Sequence, residues 1–383
     1  MNVAFIQAIS LLVFAQVPAV ETTAPAMSSP AEAKTAFIKL LDRPKVALDA
    51  RRVKPDKVND GLVSESLSFA SEKKWDGTIE RVPALLVRPE GVAGKRPAVI
   101  ALHGTGGNKE GMRPLLVELA RRGIIGVAID ARYHGDRVET AGAASDLGNP
   151  TSPVLPRPAP PVVRTGVGSA YVDAITRAWR TGAKQPQEHP LYFDTCWDIW
   201  RTIDYLVSRD DIDPKRIGMI GISMGGIETW LAASVDDRIA VAVPAIAVQS
   251  FRWSLDNGQW QGRARTVAGA HNAAAKDLGE HEVNARVCKE LWSKVLPGIL
   301  GPFDCPSMIR LFAGRPLLIL NGERDPNCPI GGANLAFAAA QAAYKEANAG
   351  ERLQVMVAKN VAHAVTNEQK LAALEWFTRW LRP

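Results

Sequence analysis

Between residues 62 and 381 short β-favouring runs alternate with helical stretches, and few folds accommodate that alternation. Parallel neighbours in a sheet must be joined by long crossovers, usually helical, so the pattern predicts a mostly parallel twisted sheet with helices on both faces. Residues 98–102 (AVIAL), 124–129, 216–222, 239–243, 316–320 and 353–357 supply the central strands. AVIAL carries no polar residue, as a strand covered on both sides requires. Helices are expected at 114–122, 193–207, 224–233, 332–347 and 367–381. Residues 62–70 and 78–87 read as an opening antiparallel pair turning at Asp76-Gly77.

Two segments break the rhythm. Residues 138–191 begin with a proline-rich stretch and continue into a short helical piece, and residues 249–312 separate two strands. Unstructured loops of that length are rare inside a compact domain. The second segment carries Phe251, Trp253, Trp260, Trp292 and Phe303, too aromatic for disorder, and reads as a helical cap over the site, offering an apolar or sugar-stacking wall. Upstream, residues 3–15 are apolar and of signal-peptide length, and Val17-Pro18-Ala19 offers small residues for cleavage, although no basic residue precedes Lys34. Residues 1–19 are therefore read as a signal peptide, 20–60 as a linker and N-terminal helical segment, and 61–383 as the main domain. A secreted or periplasmic location is the expectation.

The chemistry concentrates at Gly221-Ile222-Ser223-Met224-Gly225, a G-x-S-x-G between an apolar strand and a helix. A strand-to-helix turn this tight forces the serine into a strained backbone conformation, and glycines two residues to either side leave the room it needs. The hydroxyl is then raised at a helix N-terminus, where free N–H groups favour developing negative charge. This marks Ser223 as the nucleophile. His103-Gly104-Thr105-Gly106-Gly107 follows AVIAL, where backbone N–H groups can approach a substrate oxygen. The N–H groups of Thr105 (or Gly106) and of Met224 are the expected oxyanion hole.

In a fold with this elbow the acid and then the base follow the serine along the chain. His363, beyond the last strand, fits that order, whereas His103, His134, His189, His271 and His281 do not. After the preceding strand, NGERDP offers Asp325, with Glu323 as the fallback. The carboxylate would orient the imidazole and stabilise its cation. Arg132-Tyr133-His134-Gly135-Asp136 should lie beside the same cleft, with Tyr133 or His134 contacting substrate or the loop held by its own Arg–Asp pair. Trp253 is the substrate contact expected from the cap.

Taken together, HGTGG at 103–107, DARYHGD at 130–136, DIDPKRIGMIGISMGG at 211–226, RPLLILNGERDP at 315–326 and the late His363 resemble the dienelactone-hydrolase and acetyl-xylan-esterase-like branch of the α/β hydrolases. The resemblance covers roughly residues 60–383. It implies an α/β-hydrolase fold and cleavage of carboxylic esters through an acyl-enzyme, a carbohydrate deacetylase being one form of that activity. Dienelactone hydrolase itself uses a cysteine nucleophile, so with Ser223 here dienelactone cleavage is not implied.

Other classes fare worse. The net charge is +6, but basic residues are spread along the chain without interleaved aromatics, which gives nucleic acid no footprint. No apolar run is long enough to span a membrane. The four cysteines lack C-x-x-C spacing and H-E-x-x-H is absent, so no metal or organic cofactor is implied; buried thiols or one disulfide, with Cys288 and Cys305 nearest in sequence, are the alternatives. A serine peptidase of the prolyl oligopeptidase type shares the elbow but selects peptides with a large N-terminal domain, for which about 60 residues are too few. A non-catalytic binding protein on this scaffold would have no use for a full Ser, His and acid set.

Overall fold

The computed structural model describes residues 29–58, 61–91, 94–138, 169–183 and 185–382. The segment read as a signal peptide and most of the proline-rich stretch lie outside these residues. The first described element is α1 (Pro30–Leu41), started by a Ser29–Glu32 capping box and a proline in its first turn. It is no loose appendage to a linker. Phe37 is fully buried between the rings of Phe193 (5.2 Å) and Phe303 (5.1 Å), which anchors the N-terminal segment to the domain.

Two short strands, β1 (Arg51–Arg52) and β2 (Asp56–Val58), pair antiparallel with β3 (Leu62–Lys73), which in turn pairs with β4 (Ile79–Pro89) across the turn expected at Asp76-Gly77. The strands β5 (Arg96–Leu102), β6 (Ile125–Ile129), β7 (Ile212–Ile222), β8 (Ile239–Ala245), β9 (Leu317–Gly322) and β10 (Leu353–Ala358) run parallel. The sheet order is β1-β3-β4-β6-β5-β7-β8-β9-β10. Strand ends fall within a few residues of expectation. β1 and β2 were unread, because runs of two or three residues (RR and DKV) carry no periodicity.

Helices cover both faces, as the buried strands demand. On one side α2 (Arg113–Arg121) sits against Val99 and Ala101; on the other lie Ala98, Ile100 and Leu102, facing the elements that come next in the chain. Successive residues of one strand thus serve two cores, the period-two rule applied to a covered sheet. After α2 come α3 (Ser169–Arg180), α4 (Phe193–Val207) and α5 (Met224–Val235), the last beginning directly behind Ser223.

The 249–312 insertion folds into α6 (Phe251–Asp256), α7 (Gln261–Arg265), α8 (Ala268–Asp277), α9 (Ala285–Val295) and α10 (Cys305–Ile309). Three of its aromatics, Phe251, Trp292 and Phe303, turn inward, while Trp253 and Trp260 stay half-buried. Trp292 and Phe251 meet edge to face at 5.5 Å in the interior, and the Trp292 indole N–H donates to His271 Nε2 at 3.0 Å. The described part of the first insertion packs on the second: Trp179 Nε1 and Arg180 both donate to Asp277. The chain closes with α11 (Ile330–Glu346) and α12 (Asn367–Leu381). All four cysteines are buried free thiols, so the disulfide alternative is not formed. Among the described residues no helix is long and apolar enough to cross a membrane.

Candidate active site

Ser223 occupies the turn between β7 and α5 with φ 56° and ψ −109°, a region L-residues avoid. The glycines explain how the turn closes. A Cβ on Gly221 would stand 2.0 Å from the Gly225 carbonyl oxygen, and one on Gly225 would stand 2.6 Å from Leu102. Neither position can hold a side chain while the serine stays raised. Two hydrogen bonds lock the bend: Ser223 N–H donates to Ala245 O at 2.9 Å, and Gly225 N–H to His103 O at 3.1 Å.

The late loop meets it. His363 Nε2 lies 2.7 Å from Ser223 Oγ, and His363 Nδ1 lies 2.7 Å from Asp325 Oδ2. Because the carboxylate can only accept, Nδ1 carries the proton and Nε2 is left to accept from the serine hydroxyl. The other oxygen, Asp325 Oδ1, accepts the N–H groups of Asn327 (2.8 Å) and Cys328 (3.1 Å), which fixes the carboxylate on its turn. Backbone bonds from Glu323 N–H to Ala358 O and from Arg324 N–H to Val361 O tie the acid loop to the histidine loop. The fallback Glu323 instead accepts the Asn360 N–H at 2.7 Å and does not meet His363.

The 103–107 loop lies against the elbow, with the Gly104 Cβ position 3.5 Å from Ser223 Cβ. Among the described residues neither the Thr105 nor the Met224 N–H has a hydrogen-bond partner, while Gly107 N–H is spent on Gly104 O. His103 is structural: Nδ1 donates to Gly104 O at 2.9 Å and Nε2 accepts the Ala131 N–H at 3.1 Å. Burial pushes its pKa down, in keeping with a neutral ring.

The 130–136 loop is held by charge, but not by an Arg132–Asp136 pair. Arg132 and Arg137 both bind the buried Asp198 of α4, at 3.0 and 2.8 Å, while Asp136 pairs with Lys109 at 2.6 Å. Burial alone would raise the Asp198 pKa; the two guanidinium groups outweigh it and hold it well below the carboxylate range. His134 is buried between the rings of His103 (5.1 Å) and Tyr171 (4.6 Å), with Nδ1 donating to Arg132 O. Its Nε2 and the Tyr171 hydroxyl have no partner among the described residues. Tyr133 donates its hydroxyl to Glu188 at 3.2 Å. Trp253 is half-buried on Gly331 and Gly332 at the start of α11.

Asp325, Cys328 and His363 place three metal-ligating atoms within 4.8 Å of one another. The set does not suit a cation: His363 Nδ1 is engaged by Asp325, and the Cys328 sulfur faces the Arg263 guanidinium at 3.4 Å.

Comparison with known proteins agrees with this architecture. Acetyl xylan esterases from Paenibacillus sp. R4 (TM-score 0.58, 19% identity, 92% of this chain and 93% of that one) and Thermoanaerobacterium sp. JW/SL YS485 (0.60, 16%, 94% and 95%) share the fold. In sequence, YitV of Bacillus subtilis (strain 168), named an esterase, is 25% identical over 309 residues, covering 79% of this chain and 97% of its own length. YtaP of the same organism, named a hydrolase, is 29% identical over 172 residues, 43% of this chain. The match to YtaP spans only about half of that protein, 48%. The profile of the X-Pro dipeptidyl-peptidase (S15) family matches residues 76–293. That match takes in more than half of the chain, and the chain belongs to the X-Pro dipeptidyl-peptidase (S15) family.

Proposed function

We propose that the chain is a serine hydrolase of carboxylic esters working through an acyl-enzyme, with Ser223 as nucleophile, His363 as general base and acid, and Asp325 as the orienting carboxylate. The observation that carries this reading is the unbroken chain Ser223 Oγ, His363 Nε2, His363 Nδ1, Asp325 Oδ2, both links at 2.7 Å. Removal of the hydroxyl proton by Nε2 lets Oγ attack the ester carbonyl. The new imidazolium is stabilised by Asp325, which keeps its negative charge. The carbonyl oxygen, now an anion, is received by the unpaired N–H groups of Met224 and Thr105. His363 then returns the proton to the leaving alcohol, and repeats both steps with water to release the acid. No step requires a metal or organic cofactor.

Carbohydrate esters are the substrate class we favour, supported by the acetyl xylan esterases among the structural relatives. Tyr133 and Trp253, both half-buried, are the candidate contacts, while the His134 ring, next to Tyr133 in the chain, lies buried and would need the loop to move before it met substrate. Membership of the S15 family keeps a second reading in play, cleavage of an X-Pro amide. The deciding experiment compares p-nitrophenyl acetate and acetylated sugars with an aminoacyl-prolyl chromogenic amide. Ester turnover that disappears in Ser223→Ala supports the first reading, and preference for the amide overturns it. A binding protein without catalysis would leave the wild type unlabelled by a fluorophosphonate probe. Export rests on residues 3–15 of the sequence and is tested by fractionating cells and weighing the mature chain.

A further inference from the structure

Arg263 of α7 is almost wholly buried and forms no salt bridge with any described residue. An unpaired guanidinium in the interior is costly unless something nearby repays it. Its Nη2 donates to Asn327 O at 2.9 Å and approaches the Cys328 sulfur at 3.4 Å. These are the two residues whose N–H groups hold Asp325 Oδ1. The turn that aims the carboxylate is therefore gripped on one side by Asp325 itself and on the other by Arg263. The guanidinium also lies over the Phe251 ring at 5.6 Å, which fixes its plane from within the insertion.

Charge points the same way. Burial works against the guanidinium, and Tyr192, Cys328 and Asp325 more than offset it, leaving its pKa above the ordinary value. Burial also pushes the Tyr192 hydroxyl and the Cys328 thiol up, so both are neutral at pH 7. The next residue back, Gly262, tightens the contact: a Cβ there would stand 1.9 Å from Pro326 O. On the solvent side of the turn, Glu323, Arg324 and Arg265 line a cleft of about 330 Å³, and Glu323 is engaged by Asn360.

We propose that Arg263 is a positioning residue for the hydrolytic centre: the 249–312 insertion reaches down to pin the Asp325 turn and sets a fixed positive charge behind the acid. This rests on the triad assignment above. The insertion is thus part of the machinery, not only a cover, and its removal would loosen the acid.

The test measures the rate of fluorophosphonate labelling of the full chain from pH 5 to 9 for wild type, Arg263→Met, Arg263→Lys and Gly262→Ala, with folding checked by circular dichroism. Labelling reads the reactivity of Ser223 without needing the natural substrate. Removing a positive charge favours the imidazolium, so Arg263→Met should label about tenfold more slowly and its acidic limb should move up by about half to one pH unit. Arg263→Lys keeps the charge and loses the fork, so it should slow labelling with the limb in place. Gly262→Ala pushes α7 off the turn with the charge present and should behave like the lysine variant. If Arg263→Met does not fold, the lysine and alanine variants still decide. Wild-type rate and limb in the folded variants would overturn the proposal, as would a limb that moves equally in Arg263→Lys and Arg263→Met. An unlabelled wild type is a different result: it sinks the triad assignment on which the proposal stands.

Discussion

Asp325 and His363 are 38 residues apart in the chain, yet their side chains meet at 2.7 Å because two neighbouring parallel strands, β9 and β10, end side by side and release both loops at one edge. The carboxylate holds the ring with Nδ1 protonated, and only in that tautomer can Nε2 accept from Ser223. Asp325→Asn presents an amide that can donate and so favours the wrong tautomer. We expect kcat to fall by about 10⁴ with little change in KM. Glu323→Gln, which alters a carboxylate bonded to Asn360 alone, should stay within a few-fold of wild type. Steady-state kinetics on p-nitrophenyl acetate read both, and a larger loss in the Glu323 variant would reassign the acid.

The elbow makes a prediction in which stability and activity part company. Ser223 sits at φ 56°, where a non-glycine residue pays roughly 1–3 kcal/mol of strain. Ser223→Gly relieves that strain and deletes the proposed nucleophile together. The variant should be more stable than Ser223→Ala by about 1 kcal/mol or more in urea unfolding while both are inactive. Equal midpoints for the two would mean the turn is not strained.

The oxyanion site is assigned to main-chain donors, so the Thr105 side chain should be dispensable. Thr105→Ala keeps the N–H and is expected to retain kcat within a few-fold. By contrast, loss of one such donor typically costs 10²–10³ in kcat. A drop of that size in Thr105→Ala would transfer the role to the hydroxyl.

How much of this was legible in the sequence follows from distance along the chain. The elbow is local: five residues and their flanks dictate a strand, a bend and a helix, and Gly221 and Gly225 stand where sterics need them. His363 and Asp325 were found by order, since the topology fixes which loops share an edge. The buried charges were not. Arg132 is matched by Asp198, 66 residues away, and nothing in DARYHGD announces a partner on another helix. The insertion was legible only in part: composition does not say which way a ring faces, and Trp292 finds its partner in His271, inside the insertion, while Trp253 and Trp260 stay half-buried. Arg263 was invisible for the same reason, one arginine in QGRAR among many.

The buried histidines should make the protein sensitive to mild acid. Burial pushes the pKa of His134 and of His271 down to about 4, and lowers those of His103 and His189 as well. His271 has a geometric reason to stay neutral, because Nε2 accepts from Trp292 and Nδ1 faces the Val267 carbonyl. A histidine depressed in the folded state binds fewer protons there than in the unfolded chain, so its contribution is complete above the ordinary 6.5 and is lost as pH falls from there towards 4. At pH 5 the loss is about 2 kcal/mol for each of the two groups near 4. Burial would raise the Glu80 pKa, but Arg137 and its neighbours bring it down to about 2, so its stabilisation is complete above the ordinary 4.5 and is lost only below that, adding little to the fall between pH 7 and pH 5. Urea midpoints at pH 7 and pH 5 should therefore separate strongly. In His271→Gln the pH 7 stability should be lower, yet the drop to pH 5 should shrink by about 2 kcal/mol. A drop as large as that of wild type would show that His271 takes up no fewer protons folded than unfolded.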